Sequence, residues 1–239
     1  MSENYPKAYK KGFQDFYGYN FKVTEDVLIP RPETEQIVDA VLDLAGVSYL
    51  PGVKPKENQI GDHPKILDVG TGSGCIAITL SLKLKNAEIV ATDLSEKALE
   101  IAKENYQNLT FHPKNHTPAF HPCQKNHTPT VKFLTADLLE GINFIPDLIT
   151  ANLPYVDESW DWLDKSALSH EPSEALYAKD HGLELIKKLI DQASRREVKY
   201  LILEADSCQH QTIAEYSKIK NYELLETRGF ILCMRLVQH

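Results

Sequence analysis

The stretch Ile66-Leu67-Asp68-Val69-Gly70-Thr71-Gly72-Ser73-Gly74 decides the fold class of this 239-residue chain. A short apolar run enters a glycine-rich turn there, and a segment of helical length follows it. Glycines at such a turn allow positive φ and let a ligand approach the backbone closely. The start of the next helix offers unpaired N–H groups. The pattern therefore predicts a strand–turn–helix unit that binds a ligand.

The same alternation of strand and helix repeats along the chain from Pro64 onward. The predicted strands are Lys65–Val69, Glu88–Thr92, Val131–Thr135, Asp147–Ala151, Tyr200–Glu204, Tyr222–Glu226 and Phe230–Leu236. The predicted helices between them are Cys75–Lys85, Ser95–Tyr106, Leu183–Arg195 and Ser207–Ile219. Apolar strands alternating with helices indicate a mostly parallel sheet that is covered on both faces. Only a tight turn at Thr227–Gly229 separates the last two strands, so we expect the sheet to end with an antiparallel hairpin strand.

Two regions fall outside this alternation. Residues 1–50 are expected to form a hairpin at Phe16–Val27 and a helix at Glu33–Ala45, packed on a core domain of residues 51–239. Residues 112–129 repeat the pentapeptide Lys-Asn-His-Thr-Pro and show no periodicity. We predict a polar surface insertion there rather than a metal site, because the spacing of its His and Cys residues matches no metal-binding motif.

Composition narrows the class of protein. The net charge of −8 argues against a protein that grips nucleic acid through its phosphates. No apolar run approaches the roughly 18 residues of a membrane span, and the first residues lack the apolar stretch of a signal peptide. The four cysteines form no CxxC pair, as is typical of free thiols in a reducing cytoplasm. We expect a cytoplasmic protein with no membrane, metal or direct nucleic-acid partner.

The strand ends that follow the glycine turn carry acids suited to a nucleoside. The spacing of Gly70–Gly74 is GxGxG and lacks the third glycine that an NAD-binding turn places two residues later. Asp93 ends the second strand, where its carboxylate can accept both hydroxyls of a ribose, although NAD folds also carry an acid there. Asp137 ends the third strand and could meet an adenine amino group while Leu138 packs on the ring. A loop or helix-cap role is the alternative for Asp137.

The fourth strand ends in Asn152-Leu153-Pro154-Tyr155, which should face the same crevice. An amide or exocyclic amine is a poor nucleophile because its lone pair is delocalised. The Asn152 side-chain oxygen and the Leu153 carbonyl could accept hydrogen bonds from its N–H groups and turn the lone pair towards a sulfonium methyl. Pro154 stiffens the turn, and Tyr155 offers a flat ring. Catalysis would then rest on positioning and fixed dipoles.

These motifs resemble those of the HemK/PrmC family, glutamine methyltransferases that act on peptide-chain release factors. The resemblance covers nearly the whole chain and is most specific at Leu28–Glu35, which reads LIPRPETE. It also includes Glu171-Pro172, Ala175-Leu176 and Gly182-Leu183. It implies a class I, Rossmann-like fold with a seven-stranded sheet, S-adenosylmethionine as cofactor, and a release factor with a Gly-Gly-Gln motif as substrate. Arg31 and Glu171 would shape the substrate entrance, or serve only as cap and loop residues.

The predicted site has two parts. The cofactor part comprises Asp68, Gly70, Thr71, Gly72, Gly74, Asp93, Leu94, Asp137, Leu138 and Asn152. The catalytic part comprises Asn152, Leu153, Pro154 and Tyr155. The family's usual tetrapeptide is Asn-Pro-Pro-Tyr, and most of its usual N-terminal helical domain is missing from this sequence. The Asn-Leu-Pro-Tyr form is shared with rRNA adenine dimethyltransferases, so N6-adenine methylation is the first alternative and a non-catalytic binding protein is the second.

Overall fold

The computed structural model describes residues 5–47, 57, 59–111 and 130–237. Its strands are β1 Phe13–Phe16, β2 Tyr19–Lys22, β3 Lys65–Val69, β4 Glu88–Asp93, β5 Val131–Thr135, β6 Leu148–Ala151, β7 Tyr200–Glu204, β8 Tyr222–Arg228 and β9 Ile231–Leu236. Its helices are α1 Lys7–Lys11, α2 Glu35–Leu44, α3 Cys75–Lys83, α4 Glu96–Phe111, α5 Lys165–Leu168, α6 Ser173–Leu176, α7 Glu184–Arg195 and α8 His210–Ile219. No helix in these ranges is both long and apolar enough to span a membrane. The predicted insertion at 112–129 lies outside the described residues.

A seven-stranded sheet forms the centre of the molecule, in the order β5-β4-β3-β6-β7-β9-β8. Neighbouring strands from β5 to β7 are parallel, and β9 is antiparallel to both β7 and β8. The α/β fold predicted from the sequence is confirmed, including the antiparallel hairpin strand. That strand is not at the edge, however, because β9 inserts between β7 and β8. The strand order reverses between β4 and β6, on either side of β3, and in such sheets the ligand crevice opens at that point.

Both faces of the sheet are buried. The side chains of α2 and α3 fill one face together with the β1–β2 hairpin, and those of α7 and α8 fill the other. This double coverage explains why the central strands are apolar along their whole length rather than alternating. It also leaves the carboxyl ends of the strands as the open side of the sheet.

The N-terminal hairpin occupies Phe13–Lys22, so the predicted bounds Phe16–Val27 were wrong. Its two-residue turn is Tyr17-Gly18, with φ of 53° and 77°. Two successive positive φ values match the twist of a hairpin, but tyrosine rarely supplies one of them, so the sequence did not mark this turn. Phe16 and Phe21 are fully buried and anchor the hairpin in the core.

Helix bounds differ from the predictions mainly at their ends. A 3₁₀ turn at Pro32–Thr34 precedes α2, and another at Ser207–Gln209 precedes α8. The helix predicted to end at Tyr106 continues as α4 to Phe111, because Leu109 adds a further buried side chain to its inner face. The short helices α1, α5 and α6 were not predicted, since four or five residues carry too little periodicity.

Candidate active site

A cavity of about 430 Å³ opens at the carboxyl ends of β3, β4 and β6, where the strand order reverses. Its inner wall comes from the glycine turn, the end of β4, residues 136–138 and residues 152–154. Its outer wall comes from residues 26–31 and from Pro172, Glu174 and Ala175. The volume is that of a pocket for a nucleoside-sized ligand. The predicted cofactor and catalytic segments therefore meet at one place.

Asp68 lies beneath the glycine turn and stabilises it through hydrogen bonds. Its carboxylate accepts hydrogen bonds from the hydroxyls of Thr71 at 2.6 Å and Thr150 at 2.8 Å. Burial raises its pKa to about 6, although both hydroxyls favour the charged form. Asp68 is fully buried and does not line the cavity, so the prediction that it contacts the cofactor needs correction. It acts through Thr71, which does line the cavity.

Gly70, Gly72 and Gly74 are each required at the turn for a different physical reason. All three have positive φ, between 55° and 81°. A Cβ on Gly74 would lie 2.7 Å from Ile78 Cδ1, so this glycine permits helix packing and lies outside the cavity wall. A Cβ on Gly70 would lie 3.0 Å from Leu153 Cδ2. A Cβ on Gly72 would meet nothing within 4 Å, because that glycine borders the open cavity.

Asp93 ties the end of β4 to the glycine turn. Its Oδ2 accepts the backbone N–H of Gly72 at 2.8 Å, and its Oδ1 accepts that of Ser95 at 2.9 Å. Burial raises its pKa, while these backbone bonds oppose that effect. Each carboxylate oxygen has a second lone pair. Asp93 lines the cavity and could therefore accept a pair of neighbouring hydroxyls.

Leu94 and Leu138, which the sequence predicted as cofactor contacts, also line the cavity. Leu94 lines the cavity with 71% of its surface exposed. Leu138 is buried and adopts φ of 52°, a conformation that costs an ordinary side chain about 1–2 kcal/mol. Asp137 lies beside Leu138 on the cavity wall, with Oδ2 paired to Lys188 Nζ at 2.8 Å. Two leucine side chains and a carboxylate therefore line the same cavity.

Ser73 was not predicted as a site residue, yet its side chain suits a polar ligand. It lines the cavity, is almost completely buried, and its hydroxyl has no hydrogen bond to any described residue. Its carbonyl accepts from the Asn105 side chain at 2.9 Å, and Asn105 also bonds both backbone groups of Lys22. Asn105 therefore joins the glycine turn to the N-terminal hairpin. Nothing in the sequence distinguishes it from other polar residues of α4.

A hydrogen bond from the side-chain nitrogen of Asn152 fixes the orientation of this side chain. Asn152 Nδ2 donates to Thr34 Oγ1 at 3.1 Å, which leaves Oδ1 as the atom available to accept. Asn152, Leu153 and Pro154 all line the cavity. No donor among the described residues bonds the Leu153 carbonyl oxygen. Neither of the two predicted acceptors is therefore occupied by a donor from the described residues.

Tyr155 lies behind this wall rather than in it. Its hydroxyl donates to Glu204 Oε1 at 3.1 Å, and burial, followed by the charge of Glu204, raises the pKa of the phenol. Its carbonyl oxygen accepts from Gln209 Nε2 at 2.8 Å. A Cβ on Gly182 would lie 1.9 Å from that carbonyl oxygen, so only glycine fits there. Tyr155 does not line the cavity, and its predicted catalytic role stays a prediction.

An ion pair closes the outer wall. Arg31 Nη2 bonds Glu171 Oε1, and Glu171 Oε2 accepts the backbone N–H of Ile29 at 3.1 Å. Glu171 is buried, whereas Arg31 is partly exposed and lines the cavity. The pair fastens the Leu28–Arg31 segment to the residues just before α6. Of the two, only Arg31 lines the cavity, and the role of the pair at a substrate entrance stays a prediction.

Glu204 and Thr34 are further site residues that the sequence analysis did not single out. Glu204 ends β7, next to the strand that carries Asn152, and only 2% of its surface is exposed. An acid at the carboxyl end of a central parallel strand was the available signal. Thr34 belongs to the LIPRPETE segment, but only the fold shows that it contacts Asn152.

The sequence of this chain is similar to those of known methyltransferases. Residues 53–152 match the family model of ribosomal protein L11 methyltransferase (PrmA). The chain is 35% identical to the release factor glutamine methyltransferase of Lactococcus lactis over 81% of its own length and 60% of that protein. It is 37% identical to that of Chlorobaculum tepidum over 72% of its own length and 53% of that protein. The chain therefore spans somewhat more than half the length of these curated relatives.

Solved structures share the fold at low sequence identity. The hMettl16 catalytic domain in complex with the MAT2A 3′UTR hairpin 6 matches with a TM-score of 0.61 at 14% identity, over 97% of this chain and 90% of that one. The ribosomal protein L11 methylase of Lactobacillus delbrueckii subsp. bulgaricus matches with 0.55 at 19% identity, over 90% and 84%. They establish the class I methyltransferase fold. Over about four fifths of its residues, the chain is similar in sequence to curated proteins named release factor glutamine methyltransferases.

Proposed function

We propose that this chain transfers a methyl group from S-adenosylmethionine to the side-chain amide nitrogen of a glutamine, in the Gly-Gly-Gln motif of a peptide-chain release factor. One observation carries the proposal. Asn152 and Leu153 both line the cavity, and no described residue donates a hydrogen bond to Asn152 Oδ1 or to the Leu153 carbonyl oxygen. A primary amide has two N–H donors, and this pair of acceptors matches them.

The acceptors explain how a weak nucleophile could react. When bound, the cofactor supplies an electrophilic methyl group on a sulfonium. Asn152 and Leu153 would hold the two amide hydrogens, so that the nitrogen lone pair points out of the amide plane towards that methyl group. Such positioning and fixed dipoles lower the barrier without a strong base. The amide nitrogen would gain the methyl carbon, the cofactor would leave as the neutral thioether, and the nitrogen would release one proton to solvent.

The other part of the cavity fits the cofactor. Asp93 would accept the two ribose hydroxyls, and Leu94 and Leu138 would enclose the adenine ring, with Asp137 as acceptor for its amino group. The unpaired Ser73 hydroxyl would bond a polar group of the ligand. An unpaired buried hydroxyl costs free energy, so a ligand that satisfies it gains affinity.

The substrate class rests on the relatives. The curated relatives are named release factor glutamine methyltransferases and are 35–36% identical to this chain over about four fifths of its length. The ion pair between Arg31 and Glu171 places a partly exposed guanidinium at the entrance, where a backbone carbonyl of an extended peptide could accept from it. A glutamine side chain would then reach Asn152 from that side.

N6-adenine methylation is the second candidate, and the Asn-Leu-Pro-Tyr sequence favours it. An adenine amino group also presents two N–H donors, so the same acceptors could hold it. The net charge of −8 argues against it, because RNA and DNA binding rests on neutralising phosphates. The two candidates differ in substrate and not in the chemistry of the site.

Methyl transfer from labelled S-adenosylmethionine tests the proposal. The substrates are a purified release factor, its Gly-Gly-Gln to Gly-Gly-Ala variant, and ribosomal RNA. We expect label on the wild-type factor alone. Label on RNA alone would instead establish adenine methylation. Absence of label from all three, with cofactor binding intact by calorimetry, would refute the release factor as substrate for this chain.

A further inference from the structure

Glu204 is a buried acid that the proposed chemistry does not use directly. It ends β7, does not line the cavity, and bonds Tyr155 at the end of the catalytic turn. Its Oε1 accepts the Tyr155 hydroxyl at 3.1 Å, whereas Oε2 is buried and has no hydrogen-bond partner among the described residues. Burying an acid costs free energy unless its oxygens accept hydrogen bonds.

Thr34 lies between this acid and Asn152. Its side chain is buried and its Oγ1 accepts the Asn152 Nδ2–H at 3.1 Å. Burial raises the pKa of Glu204, and hydrogen-bonding groups on Thr34 and Asn152 oppose that rise. A threonine hydroxyl has one proton that rotates freely and two lone pairs. Once its lone pair has accepted from Asn152, its proton is free to turn towards the unpaired Oε2.

The direction of these hydrogen bonds matters for the reaction. An ionised carboxylate can only accept, so beside Glu204 the Thr34 hydroxyl must act as donor and offers Asn152 a lone pair. Asn152 then turns its nitrogen to Thr34 and its oxygen to the cavity. If the Asn152 side-chain amide were turned round, its Nδ2 would face the substrate. The N–H groups of Asn152 would then face the N–H groups of the substrate amide, and no hydrogen bond could form.

We propose that Glu204 is a positioning residue which, through Thr34, holds the Asn152 amide with Oδ1 towards the substrate, while its other oxygen holds Tyr155. This inference rests on the proposed function for its kinetic consequence but not for its geometry. It also explains why the Thr34 hydroxyl is buried against the catalytic turn: it carries the effect of the acid to Asn152.

Substitutions in the full chain test the relay. Glu204→Gln keeps the shape but adds a donor that can turn the Thr34 hydroxyl round. We expect kcat to fall on the order of 10- to 100-fold, with KM for the release factor and cofactor affinity nearly unchanged. Thr34→Val lacks the hydroxyl, so its kcat should fall by a similar factor. Thr34→Ser keeps the hydroxyl and should retain most of the activity. The double variant Glu204→Gln/Thr34→Val should lose little more than either single one, because both act on one relay.

A second readout is independent of substrate. The Asn152 side-chain amide gives an NMR resonance, assigned by its loss in Asn152→Asp, and its bond to Thr34 should slow hydrogen exchange. We expect faster exchange in Glu204→Gln and Thr34→Val and wild-type exchange in the exposed control Glu215→Gln. Unchanged exchange and kcat in folded Glu204→Gln would overturn the relay. If the wild type methylates no release factor, the proposed function fails, while the exchange data still decide the relay.

Discussion

The backbone N–H of Gly72 donates to Asp93 Oδ2 at 2.8 Å, and this bond joins two strand ends that lie 21 residues apart in the chain. The contact holds the glycine turn and the proposed ribose acceptor as one rigid unit. A cofactor that bonds Asp93 would therefore meet a site that is already formed, and preorganisation of this kind reduces the entropy lost on binding.

Replacing Asp93 by alanine should weaken cofactor binding. Two hydrogen bonds to a charged group are lost, and each contributes about 1.5–3 kcal/mol, so we expect the Kd for S-adenosylmethionine to rise on the order of 100-fold. Isothermal titration calorimetry measures this directly. Glu96→Ala, which removes an acid at the start of α4 outside the cavity wall, is the control and should bind normally. Equal Kd values for both variants would discard the ribose assignment.

Asn152→Ala should separate chemistry from binding. The variant loses one of two acceptors for the substrate amide, which we expect to lower kcat by roughly 10²–10³-fold. Its Kd for S-adenosylmethionine should stay close to that of the wild type, since Asp93 and the glycine turn remain. Single-turnover methyl transfer and calorimetry measure the two effects. Normal turnover in this variant would remove the proposed mechanism.

Gly182→Ala should disturb the catalytic turn from behind. The added Cβ would lie 1.9 Å from the Tyr155 carbonyl oxygen, and φ at this position is +81°. Since backbone must move, we expect a loss of more than about 2 kcal/mol in the free energy of unfolding. Gly141→Ala is a matched control, because φ is +76° but nothing lies within 4 Å. That control should lose only about 1 kcal/mol. Equal losses in urea denaturation would show that the close approach has no energetic consequence.

The stability of the protein should depend on pH through Asp68. Burial raises the pKa of this acid in the folded state to about 6, so the folded chain keeps a proton that the unfolded chain has released. The sign follows: this contribution is complete below about pH 4 and is lost as the pH rises to about 6, by at most about 3 kcal/mol. Asp68→Asn should flatten the curve in that interval. A variant whose stability follows the wild-type slope from pH 4 to 6 would contradict the assignment.

The sequence predicted most of the fold, because the central strands are apolar, short and separated by glycine and proline. The segments predicted to bind the cofactor and to catalyse the reaction line one cavity, since Gly72, Asp93 and Asn152 each lie at the carboxyl end of a parallel strand. Sequence reasoning missed the Tyr17-Gly18 turn, where tyrosine adopts positive φ. It also did not show that Asp68 and Tyr155 lie outside the cavity lining, because a motif identifies a residue without showing whether its side chain faces the ligand or supports the wall.

Contacts between distant segments were beyond sequence reasoning. Thr34 meets Asn152 across 118 residues, and Asn105 meets Lys22 across 83. No local pattern encodes such pairs, because they depend on how α2 and the hairpin pack on the sheet. The residues that support the site are therefore the least predictable part of it.

The most direct test of the central claim is to locate the methyl group on the substrate. A release factor would be incubated with the chain and S-adenosylmethionine, digested, and fragmented in a mass spectrometer, beside a reaction with Asn152→Ala. The account predicts one added methyl on the side-chain nitrogen of the Gly-Gly-Gln glutamine, absent with the variant. A methyl group on any other residue, or the same yield with Asn152→Ala, would contradict it.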